Sequence, residues 1–116
     1  MEPLQLVIDE IGQSSSRRLA EARMLLAAMR GGVDGAIARV PESLKNHSGL
    51  VFERMRWRRR KGRTEGALEL LKTLPDPLVR PNRWWLEREI LGRRLLAVGQ
   101  AERAYRLILE VRVSLV

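Results

Sequence analysis

The densest chemistry in this sequence is a run of cations. Arg54, Arg56, Arg58, Arg59, Arg60, Lys61 and Arg63 fall within ten residues, with Trp57 among them. Such a run can neutralise nucleic-acid phosphates while the indole stacks on a base. It can also be a solvated basic face, or a set of partners for carboxylates on a neighbouring helix. Arg58 and Arg59 follow Met55 by three and four residues and so continue the side of Val51, Phe52 and Met55. On that side an Arg meets another helix and needs a carboxylate. Glu87 and Glu89 are the candidates, and pairing between helices is the preferred reading. Arg54, Trp57, Arg58 and Arg59 are therefore candidate ligand or inter-repeat contacts.

The other reactive residue types carry less. Trp84-Trp85 could be a sugar platform, but adjacent helical positions point about 100° apart, so packing against two neighbouring helices is expected. Tyr105, after Ala104, likewise reads as a packing residue. His47 sits in an Asn-His-Ser-Gly turn and reads as a surface His. Ser48 beside it has no orienting acid and meets no triad geometry. Glu87 and Glu89 flank Arg88 on different helical sides, unlike a glycosidase pair. Gly31-Gly32 lacks the Lys and spacing of a phosphate loop. No catalytic, cofactor-binding or metal-ligating residue is expected.

These residues must be positioned by a chain of 116 residues with 22 Lys and Arg against 14 Asp and Glu, a net charge of +8, one His and no Cys. That length holds one compact domain or a short run of repeats. The absence of Cys excludes disulfides and thiolate chemistry, and one His makes His-rich metal sites untenable. At 45% apolar and 31% charged, the chain is too hydrophobic for a disordered basic tail. Of the 22 cations 19 are Arg, a ratio that a GC-rich coding sequence explains without function. No window approaches the roughly 18 apolar residues of a membrane span. The acidic start Met1-Glu2-Pro3 carries no visible signal peptide.

Periodicity predicts helices nearly throughout. Leu4, Val7, Ile8 and Ile11 share a face, and Gly12 with Ser14-Ser15-Ser16 should end that helix and cap the next. A stripe of Leu19, Ala22, Leu25, Leu26 and Met29 follows, stopped by Gly31-Gly32. A short helix from Asp34 ends before Pro41. Further helices are expected over 50–61, over 65–74 capped by Thr64, over 83–98 and over 101–112. Pro75, Pro77 and Pro81 read as a stiff linker. On the 83–98 helix, Trp84, Leu91, Leu95 and Val98 share one side, with Trp85, Leu86, Ile90 and Leu96 on others, so packing on several faces is expected.

A helix, a Gly, four residues and an Ala recur at Gly31–Ala36, Gly62–Ala67 and Gly99–Ala104, spaced 31 and 37 residues apart. Gly frees the backbone where one helix stops, and Ala lets the next approach closely. The spacing falls within the range of helix-turn-helix arrays and matches a tetratricopeptide-type hairpin.

With these motifs in place, the sequence resembles a known family. Trp57-Arg58-Arg59-Arg60-Lys61-Gly62 followed by Ala67-Leu68-Glu69-Leu70-Leu71 resembles the superhelical domain of soluble lytic murein transglycosylases, particularly α-proteobacterial forms. So do Arg80-Pro81-Asn82-Arg83-Trp84-Trp85, then Glu87-Arg88, Gly99 and Ala104-Tyr105-Arg106-Leu107, and upstream Ile37 through Leu44. The resemblance covers about residues 17–108. It implies a curved stack of helices in a periplasmic enzyme that cleaves peptidoglycan glycan strands and leaves a 1,6-anhydro end. In that family a separate lysozyme-like domain with one acid/base Glu carries the chemistry, and the present chain has no such domain. Glu42-Ser43 echoes the catalytic pair but lacks the Gly-rich context that follows it, and is not read as catalytic.

The expectation is thus an all-α chain of tetratricopeptide-like hairpin repeats forming a short α-solenoid. Residues 1–16 form an N-terminal segment outside the resemblance that need not be native. Residues 17–113 form the repeat domain, with hairpins near 17–41, 50–75 and 82–112. The expected role is a non-catalytic scaffold for peptidoglycan strands or a catalytic domain, periplasmic by resemblance. The alternatives are a protein-interaction module self-associating through solenoid ends, or a basic nucleic-acid-binding domain.

Overall fold

A computed structural model describes the backbone over residues 3–73 and 81–115, and side chains over 12–73 and 82–108. Six α-helices account for most of it: α1 (Pro3–Ala27), α2 (Val33–Ala38), α3 (Ser48–Arg60), α4 (Thr64–Leu71), α5 (Pro81–Ala97) and α6 (Ala101–Leu115), with one 3-10 turn at Glu42–Leu44. No strand occurs among the described residues. Helices pair as α1 with α2, α3 with α4 and α5 with α6. Helix α3 also packs on α1 to one side and α5 to the other.

The central position of α3 follows from its sequence. Val51, Phe52 and Met55 face a core shared with α4, α5 and α6, built on Ala67, Leu68, Leu71, Trp84, Leu91, Leu95, Ala104 and Leu107. Leu50 turns to a second core with Ala22, Leu26, Val33, Ala36 and Val40, against which Trp57 and Leu44 pack. Full burial of a Leu such as Leu50 or Leu91 contributes about 1.5–3 kcal/mol. The Phe52 and Trp84 rings meet edge to face at 5.1 Å. Two small cores in a row, rather than one round core, make an elongated body of 61 × 35 × 18 Å. Its radius of gyration is 16.9 Å, where a compact chain of this length would have about 13 Å.

Three junctions use one design. At α3–α4, Gly62 is left-handed (φ 77°), its N–H donates to the Arg59 carbonyl, and Arg63 N–H donates to the Arg58 carbonyl. At α5–α6, Gly99 (φ 82°) does the same with Leu96, and Gln100 with Leu95. Both are Schellman closures. At the end of α1 the equivalent residue is Met29 (φ 57°), donating to Leu26, with Arg30 donating to Leu25. The Gly31 assignment in the expected repeat is therefore corrected: Met29 closes the helix. The extra Gly31-Gly32 lengthens the turn, and Gly32 (φ 82°) precedes α2. The alanines do correspond. Ala36, Ala67 and Ala104 each donate N–H to the residue four before, namely Gly32, Arg63 and Gln100, and each is buried.

Other boundaries also move. Gly12 and Ser14-Ser15-Ser16 lie inside a continuous α1 rather than ending a helix. A lone interior Gly costs about 1 kcal/mol relative to Ala, which the flanking helix-forming residues outweigh. Thr64 is the first residue of α4 and no side-chain cap is made there. Pro81 opens α5, where its missing N–H costs nothing. Pro75 and Pro77 lie outside the described residues.

Candidate binding surface

The cationic run divides by helical position into separate jobs. Arg59 donates from Nε and Nη2 to the two carboxylate oxygens of Glu87 on α5, the second at 3.0 Å. Glu87 is buried, and Arg56 Nε stands 4.0 Å from its Oε1. Arg94 of α5 donates to the Arg59 carbonyl at 2.7 Å. This is the expected pairing between helices, and it fastens α3 to α5. Glu89, the other expected partner, instead takes Arg93 of its own helix at 2.6 Å.

Arg58 departs from the expectation: it meets no carboxylate among the described residues, and its Nη1 donates to the Gly66 carbonyl of α4 at 2.9 Å. A Cβ on Gly66 would stand 3.1 Å from Arg58 Cδ, so the glycine gives this side chain its path. Arg54, one turn earlier, makes no hydrogen bond or ion pair with the described residues and is part-buried. Burial lowers its guanidinium pKa from the ordinary value, the Arg58 charge lowers it further, and Asp34 at the start of α2 opposes both. Lys61 and Arg63 lie over Trp57, 5.7 and 5.1 Å from its ring centroid. Arg60 is exposed.

The aromatic candidates separate. Trp84 is buried under Phe52, but Trp85 is 44% exposed and Tyr105 is 64% exposed. The expectation of packing against two neighbouring helices holds for Trp84 and is corrected for Trp85. It is corrected for Tyr105 too. Leu86, Leu96, Val98 and Ile108 are exposed with them, because no further helix lies against this side of α5 and α6 among the described residues. Val98 falls beyond the end of α5, which turns it out of the Trp84 side. Trp85 and Ile108, with Arg88 and Glu89, line a recess of about 230 Å³. A second recess, about 270 Å³, has a floor of Leu68, Leu71, Leu95 and Leu107 and a rim of Lys72, Arg103 and Arg106.

His47 is exposed and precedes α3, where its Nδ1 accepts the Gly49 N–H at 3.1 Å, a capping role that its turn setting did not reveal. Glu42 sits in the 3-10 turn beside Lys45 at 3.1 Å. Among the described residues no group of three or more His, Cys, Asp or Glu could hold a metal ion. No described helix is long and apolar enough to cross a membrane. Sequence reasoning missed the polar seam between α1 and α3, where Arg23 Nε, Glu53 Oε2 and Trp57 Nε1 are buried without partners. Its signal is the i, i+4 spacing of Gly49, Glu53 and Trp57 along one stripe of α3. The chain matches no known protein-family model, no curated protein and no solved structure.

Proposed function

We propose that this chain is a non-catalytic helical scaffold, a short run of stacked tetratricopeptide-like hairpins forming a piece of an α-solenoid. The observation that supports it is the recurrent junction: a left-handed closing residue, then a buried alanine four residues after the residue that precedes the next helix. Such a unit cannot bury its apolar face alone and gains stability by stacking on its neighbours. The quoted motifs favour the scaffold of a soluble lytic transglycosylase, shaping a groove for peptidoglycan strands in the periplasm and holding a separate catalytic domain. Sedimentation with purified peptidoglycan at low salt tests this. The chain should pellet with the wall material, and its staying in the supernatant overturns direct wall contact.

A second reading is favoured by the exposed Trp85, Leu86, Leu96, Val98, Tyr105 and Ile108 on the last hairpin. A protein-interaction module that self-associates would use such a face. Light scattering of the wild type against Trp85→Glu separates the two: a monomer mass for both removes the self-associating module.

A further inference from the structure

We propose that Arg54 and Arg58, one helical turn apart on α3, form a binding site for the side-chain carboxylates of an acidic peptide. The two residues leave α3 one helical turn apart, and both are part-buried. Neither has a carboxylate within ion-pair distance among the described residues. Arg58 has only the neutral Gly66 carbonyl, and Asp34 acts on Arg54 without forming a pair. Two partly desolvated like charges repel, and an oxyanion placed between them would relieve both costs. The planar fork of each guanidinium fits a carboxylate bidentately, and Arg58 keeps donors beyond the one spent on Gly66.

Peptide carboxylates fit better than a polynucleotide. The ring of Trp57 already carries Lys61 and Arg63 and its body packs on the second core, so it offers no stacking platform for a base. Arg59 is committed to Glu87, which breaks the continuous stripe that a phosphate backbone would follow. The inference rests on the scaffold reading only in taking a peptide as ligand. Wall sedimentation can fail while this binding succeeds, so the two are separable.

The test titrates the whole chain with an acetylated tetraglutamate peptide at low salt, with a decathymidylate and inorganic phosphate in parallel. Backbone amide shifts of the wild type should move at the start of α2, along 54–58 and near Gly66. Arg54→Gln and Arg58→Gln should each weaken peptide binding about three- to tenfold, while Arg60→Gln, with the same loss of charge, changes it less than twofold. Circular dichroism checks that each variant folds, and the wild-type shift map stands if one does not. Shifts elsewhere, or equal losses for Arg60→Gln, overturn the site. Tighter binding of the oligonucleotide than of the peptide, or binding of phosphate alone, overturns the ligand class.

Discussion

Arg59 and Glu87 face each other across the α3–α5 contact with two parallel N–H to carboxylate bonds, and Glu87 is almost completely enclosed. The pair joins the second and third hairpins in addition to the apolar core they share, and Arg94 donates to the Arg59 carbonyl. Breaking a buried pair strands a charge away from water. Replacing both members with apolar residues of similar volume strands none.

The two single variants should therefore differ. Glu87→Gln leaves Arg59 and Arg56 together without a carboxylate and should cost about 3 kcal/mol in chemical denaturation. Arg59→Gln should cost about half that, because Arg56 already stands 4.0 Å from Glu87 and can swing in. The double variant Arg59→Met with Glu87→Leu should be more stable than either single one. Equal costs for the two single variants would remove Arg56 from the account.

Met29 carries a strain that its counterparts Gly62 and Gly99 do not. Its φ of 57° places a Cβ against the following carbonyl, at a cost of about 1–2 kcal/mol. Met29→Gly should stabilise the first hairpin by about 1 kcal/mol, less the small entropic cost of a freer unfolded chain. Thermal unfolding checks it. A lowered midpoint would mean that the half-buried Met side chain contributes more by packing than its backbone costs.

Glu53 is buried on α3 with Oε2 unpartnered, one turn before Trp57, whose Nε1 is also unpartnered. An unsatisfied buried acceptor costs about 1–3 kcal/mol, and an apolar side chain of similar length costs none of it. Glu53→Met should raise the denaturation midpoint. A fall would show that the carboxylate offsets the Arg23 charge that lies over Gly49 in the same seam.

The features legible in the sequence are those set by spacing. Arg59 continues the Met55 side by four residues, so its approach to a neighbouring helix followed from periodicity, while the choice between Glu87 and Glu89 did not. The all-helical fold followed from the same stripes. Arg58 was not legible because its partner is a backbone carbonyl, which has no residue type to recognise. Met29 was hidden because nothing in a Met signals a left-handed turn, and the Gly31-Gly32 pair beside it offered a more obvious stop. Trp85 and Tyr105 failed for another reason. Apolar residues on several faces of a helix state a demand for cover, and the sequence does not say whether a neighbour meets it.

Glu65 and Arg103, which tie α4 to α6 through bonds of 2.7 and 3.0 Å, make a small pH-dependent contribution to stability. The Arg103 hydrogen bond is the main cause that holds the Glu65 carboxyl below its ordinary value of 4.5. The Arg103 and Lys72 charges add to the effect, and partial desolvation opposes it. A carboxyl depressed in the folded state stabilises the fold above its unfolded pKa, and that contribution is lost as pH falls through the lower native value. The loss therefore begins near pH 4.5 and grows below it. Both groups lie in solvent, so the effect is small and should fade as salt is added. Thermal midpoints followed downward from neutral pH should fall more steeply in the wild type than in Arg103→Gln once the solution is more acidic than the ordinary carboxyl value. Parallel curves for the two proteins would mean that the bond seen across α4 and α6 does not persist in solution.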